Sequence, residues 1–122
     1  GQWRMNWAVI LAAALALWGW AFPPPIVILE ESERAYETSL ADTTHDEHAC
    51  YIHVYPSTWA PEYDPFKIVA HEVGHCLSLG HHDQEGIMNG VYEGYEFSGY
   101  DRALFWWTYP APYRVTIGMV SK

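Results

Sequence analysis

The amino-acid sequence predicts one α+β domain, and three observations predict it. Two short runs rich in β-branched and aromatic residues, IVILEE (Ile26–Glu31) and ACYIHVYP (residues 49–56), read as strands. A helix with a strong start signal follows at residues 65–79. A second capped helix closes the pattern at residues 98–109. Together these elements give a small twisted sheet followed by two helices. The chain has 122 residues, room for one domain, and it is half apolar with seven Trp and nine Tyr, enough to bury a core. The formal net charge is −9 at pH 7, and every Asp and Glu lies after residue 29. So acidic a surface speaks against nucleic acid and anionic membranes as partners.

The chain start is of different material. Residues 7–22 are uncharged and apolar, with Arg4 ahead of them and PPP (residues 23–25) behind. The run falls short of the roughly 20 residues of a membrane-spanning helix and suits the apolar centre of an export signal. Residues 1–22 are therefore expected to be a signal peptide or, uncleaved, an N-terminal membrane anchor. The prolines are expected to detach them from a compact domain at residues 23–122. A membrane partner is expected only if the segment stays attached. Such a domain would be secreted or extracytoplasmic, where the pair Cys50 and Cys76 can form one disulfide.

The elements follow in order. After the strand Ile26–Glu31, residues 32–41 set Ala35, Tyr36 and Leu40 at helical spacing behind Ser32, which predicts a short helix. TTHDEH, residues 43–48, reads as a polar loop. The alternating run 49–56 ends at Pro56. As an edge strand it could take a peptide as a further strand, and as an inner strand it could not. Asp64 then caps a helix whose first position is Pro65, where the missing N–H costs nothing. Gly80 stands as its stop signal. Phe66, Val69, Ala70, Val73 and Leu77 fall on one stripe, and His71 and His75 point away from it. DQEGIMNG, residues 83–90, is a tight turn region, and Ser98 with Asp101 makes a capping pattern for the last helix. Residues 110–122 read as a loop and a final strand.

HEVGHCLSLGHH, residues 71–82, carries the chemistry. His71 and His75, one helical turn apart, can reach one metal, and His81 arrives after a chain turn as a third ligand. Zinc takes neutral imidazole nitrogens, and a catalytic site keeps three protein ligands beside an open position. Glu72, next to the first ligand, points toward that position and can take a proton from water there.

These residues resemble the H-E-x-x-H-x-x-G-x-x-H pattern of the metzincin zinc peptidases, and most of all the matrixin wording H-E-x-G-H-x-L-G-L-x-H. EGIMNG places Met88 seven residues after His81, similar to the Met-turn of that family. The resemblance spans residues 64–109. It implies a small metzincin-like (zincin) domain with a twisted sheet, active-site helix, Met-turn and C-terminal helix. It further implies His71, His75 and His81 as Zn2+ ligands, Glu72 as the catalytic base and Met88 as the floor under the zinc. The implied activity is a zinc-dependent endopeptidase acting on protein or peptide substrates, expected as a monomer.

The sequence departs from the pattern at Ser78, where the family has glycine. If that backbone needs positive φ, serine is strained by roughly 1 kcal/mol, unless Gly80 absorbs part of the turn. His82 stands as an understudy ligand, and Glu93 or Glu96 would serve an H-E-x-x-H enzyme whose third ligand is a glutamate. HDEH, residues 45–48, matches no ligand spacing and reads as a solvated loop. Two rivals from other classes stand beside the peptidase. One is a non-catalytic zinc-containing binding module, favoured by Ser78 and the short upper half. The other is a membrane-anchored accessory protein, favoured if residues 1–22 are retained.

Overall fold

The structure, a computed structural model, describes residues 6–19, 26–32 and 39–109. It is a small α+β fold: a three-stranded mixed sheet and three α-helices. In chain order these are α1 (Trp7–Leu17), β1 (Ile26–Glu31), β2 (Ala41–His45), β3 (Ala49–Val54), α2 (Pro65–Cys76) and α3 (Gly99–Thr108), with a 3-10 turn at Pro56–Trp59 between β3 and α2.

The sheet order is β1-β3-β2, with β1 parallel and β2 antiparallel to β3. The run ACYIHVYP is thus the inner strand, and its residues Cys50, Ile52 and Val54 are buried. The edges are β1 and β2, and β2 lies mostly inside a stretch whose composition reads as a polar loop. Thr43, Thr44 and His45 pair with Ile52, Tyr51 and Cys50, and only residues 46–48 turn. There Asp46 accepts from the backbone N–H of His48 and Ala49, which closes the hairpin. The helix expected over residues 32–41 lies mostly outside the described residues, and Ala41 at its end opens β2. The expected final strand in residues 110–122 lies outside them altogether.

Helix α2 starts where the capping residues put it: Asp64 accepts from the N–H of Phe66, and Pro65 opens the first turn. The expected stripe packs inward, with Val69, Ala70, Val73 and Leu77 buried and Phe66 partly so. Cys50 of β3 and Cys76 of α2 are joined by a disulfide, which ties the inner strand to the end of the helix.

Helix α1 lies against α2 as a core element. Ile10, Ala14 and Trp18 are buried in the same cluster as Val69, Val73 and Met88. The Trp18 indole N–H donates to the carbonyl of Ala70 at 2.9 Å, and that of Trp7 donates to Glu31 at 3.1 Å. Both faces of α1 are apolar. Trp7, Ile10, Leu11, Ala14, Leu15 and Trp18 face the core, and Ala8, Val9, Ala12, Ala13 and Ala16 face out. No helix among the described residues is long and apolar enough to cross a membrane.

Candidate metal centre

The polar side of α2 carries His71, Glu72 and His75, and the chain beyond its end brings in His81. The turn between them hinges on Ser78, whose φ is +67°. Its N–H bonds to the carbonyl of His75 at 2.9 Å, and the N–H of Leu79 bonds back to that of Gly74 at 3.0 Å. This is the paired closure of a helix that ends on a left-handed residue. The strain foreseen for a serine there is therefore present. Gly80 shares none of it, since its φ is not positive.

The three imidazole Nε2 atoms form an equilateral triangle, each 3.1 Å from the other two. Tetrahedral ligands at 2.0–2.1 Å from one ion stand roughly 3.3 Å apart, so the triangle has the dimensions of a single-ion site. The opposite ring nitrogens fix the tautomers. His71 Nδ1 donates to the carbonyl of Ile87 at 2.7 Å, and His75 Nδ1 donates to that of Leu79 at 2.8 Å. With their protons on Nδ1, both rings turn bare Nε2 lone pairs toward one another, an arrangement a cation satisfies and water-free imidazoles do not. Burial holds the pKa of His71 down at about 4, and burial also lowers that of His81. Both are thus neutral at pH 7, the form that ligates a metal.

Among the described residues, this triad is the only group of His, Cys, Asp or Glu side chains disposed to hold an ion. His82 takes no part in it. Its Nδ1 accepts from the N–H of Gln84, and its Nε2 donates to Asp101 at 2.8 Å. Glu96 is turned to Lys67 Nζ at 2.9 Å, and Glu93 lies on the wall of a neighbouring cavity.

Glu72 is 6% exposed, beside the triad, with its carboxylate accepting a hydrogen bond from Thr43 Oγ1. Burial pushes its pKa up, while the Thr43 hydrogen bond and the His75 imidazole pull it back. A carboxylate so placed is a stronger base than one in water.

Met88 is fully buried under α2. A Cβ on Gly74 would run into Met88 Sδ and stand 3.1 Å from the Trp18 ring, so only glycine lets the methionine approach this close. The turn carrying Met88 is pinned by Asp101. Its carboxylate accepts from the N–H of Ile87 at 2.7 Å, Met88 at 2.9 Å and Ser98 at 2.8 Å, besides His82. Gly86, at φ +150°, passes so close to this carboxylate that a Cβ would stand 2.7 Å from its oxygens. Ser98 and Asp101 also close the capping box of α3. Sequence patterning shows that box, but not the three further partners of Asp101, which come from a segment with no periodicity to read.

A cavity of about 240 Å³ opens beside His71, with Leu40, Lys67, Ile68, Tyr92 and Tyr95 in its walls. A wider, shallower cleft runs over the triad between β2 and the loop at Gly80. Comparison of the chain with protein-family models, curated proteins and solved structures finds no match. The functional reading therefore rests on the site itself.

Proposed function

We propose that the protein is a zinc-dependent endopeptidase of metzincin-like architecture, acting on protein or peptide substrates outside the cytoplasm. One observation carries this reading: three imidazoles converge on one point with a buried glutamate beside them. Three nitrogen donors suit zinc better than the oxygen-seeking magnesium or calcium. A zinc ion held there would supply a Lewis acid that polarises a peptide carbonyl and acidifies a water. His71, His75 and His81 hold the ion, and the backbone carbonyls of Ile87 and Leu79 keep the first two rings in register. Glu72 takes the proton of the attacking water and passes it to the departing amine. Met88 packs under the helix turn at Gly74, between His71 and His75. The cleft along β2 supports an extended chain as substrate, and the Cys50–Cys76 disulfide supports an oxidising compartment.

The test uses the full chain loaded with zinc and an unfolded protein as substrate, beside Glu72→Ala. Cleavage by the unaltered protein alone, with zinc retained by both, is the expected result. Retention of zinc by both and cleavage by neither would leave a metal-bearing binding module instead.

A further inference from the structure

Among the described residues one side chain donates a hydrogen bond to the Glu72 carboxylate, and it comes from the sheet. Thr43 Oγ1 stands 2.5 Å from Glu72 Oε1, and 3.5 Å from the backbone carbonyl of the same residue. A hydroxyl has one proton, and an ionised carboxylate can only accept. The short contact therefore runs from Thr43 to Oε1. Oε2 has no donor among the described residues, and it is the oxygen left to exchange a proton. The last torsion of a glutamate is soft and nearly two-fold, so nothing within the side chain fixes which oxygen faces the cleft. An outside anchor must do so.

The anchor is itself held. Within β2, Ala41 and Thr43 turn toward α2, while Asp42 and Thr44 turn outward. Asp42 is bound to the inner strand and its continuation, accepting from Tyr55 Oη at 2.5 Å and meeting His53 Nδ1 at 3.1 Å. His53 is also its direct partner across the ladder. These contacts pin the register of β2. A slip by one residue would exchange the faces and set Asp42 or Thr44 against Glu72. Asp42 there would place two carboxylates together.

We propose that Thr43 is a positioning residue of the reaction: its hydroxyl fixes Oε1 of Glu72 so that the other oxygen meets the water's proton. The proposal rests on the peptidase reading above and adds to it a residue on the sheet, outside the histidine motif. A merely structural hydrogen bond would give a different pattern of losses, since it would be felt in folding and metal retention rather than in turnover.

The experiment compares the zinc-loaded full chain with Thr43→Val and Thr43→Ser, reading kcat, KM and the zinc dissociation constant by chelator competition. Thr43→Val is expected to lower kcat by about 10- to 100-fold with KM and zinc affinity within about twofold of the unaltered protein. Thr43→Ser, which keeps the hydroxyl, is expected to regain most of the loss. Should Thr43→Val not fold, Thr43→Ala, which introduces no extra bulk, gives the same reading. Unchanged turnover in Thr43→Val or Thr43→Ala overturns the proposal. So does a loss of zinc affinity that follows kcat in every variant. An unaltered protein that holds zinc and cuts nothing overturns the peptidase reading itself, and the role of Thr43 falls with it.

Discussion

The carbonyl of Leu79 accepts from Nδ1 of His75 at 2.8 Å, so the cap that ends α2 also orients one ring of the histidine triad. The cap depends on Ser78 holding φ +67°, with the N–H of Leu79 returned to Gly74. The helix end and the ligand geometry are thus one device. Glycine reaches this backbone region freely and serine does not. Ser78→Gly is expected to raise stability by about 0.5 kcal/mol in thermal or urea unfolding, because relief of roughly 1–2 kcal/mol of strain exceeds the roughly 0.4–1 kcal/mol that glycine adds in unfolded-chain entropy. Zinc affinity should hold or rise. A fall in stability would mean that the Ser78 side chain contributes something the backbone does not.

The sequence announces α2 and its histidines because their signals are local: a capping Asp-Pro pair, a polar face set against an apolar stripe, and ligand spacing of one turn. The edge strand β2 announces nothing. Its residues are Ala, Asp, Thr, Thr and His, and it gains its place from pairing with β3 rather than from its own apolar face. Asp101 is legible as half of a capping box, whereas its hold on Ile87 and Met88 links segments that no window of sequence joins. Helix α1 misleads in another way. It is apolar all round, so amphipathicity has nothing to report about which face packs.

The buried imidazole of His71 gives the metal-free protein a pH dependence of definite sign. Burial is the main cause of its pKa of about 4, with His75 and His81 adding to the depression and Ile87 and Asp101 opposing it. The unfolded chain takes up this proton near pH 6.5, before the folded one does. The contribution of His71 to stability is whole above about pH 6.5 and is lost as the pH falls toward 4. Unfolding of the chelated protein by urea, followed from pH 8 down to 4, should show a midpoint that declines through this window. Zinc should raise the midpoint at pH 7.5 and lose that effect in the same range, because protons and metal compete for the same nitrogens. Chelation should abolish cleavage at every pH.

Gly74 is a second place where one atom decides. Alanine is the better helix former by about 1 kcal/mol, and on propensity alone Gly74→Ala would stabilise α2. The added Cβ, however, meets the thioether of a fully buried Met88 and stands 3.1 Å from the ring of Trp18. Both neighbours are buried, and overpacking of a buried cluster costs roughly 1–3 kcal/mol. The clash wins. Gly74→Ala is expected to lower stability and loosen zinc binding, and Met88→Ala in the same chain should recover part of both. Strict additivity of the two substitutions would show that Gly74 and Met88 do not press on each other.

Helix α1 poses the sharpest question of the fold, since the same residues suit an export signal and a core. Their packing favours the core. The large side chains Ile10, Leu11, Leu15 and Trp18 all turn inward, and four alanines and Val9 take the outer face. Both indole N–H groups find acceptors in the domain, Glu31 for Trp7 and the carbonyl of Ala70 for Trp18. Ala70 adjoins His71, so the contact reaches the helix turn that begins the histidine triad. Trp18→Ala is expected to cost about 3–5 kcal/mol, as for other large-to-small changes of a buried aromatic. A chain beginning at Pro23 loses Ile10 and Ala14 as well, and should bind an apolar dye that the full chain does not. Equal unfolding midpoints for the two chains, with no dye bound by either, would show that α1 is dispensable to the domain and leave residues 1–22 to a targeting role.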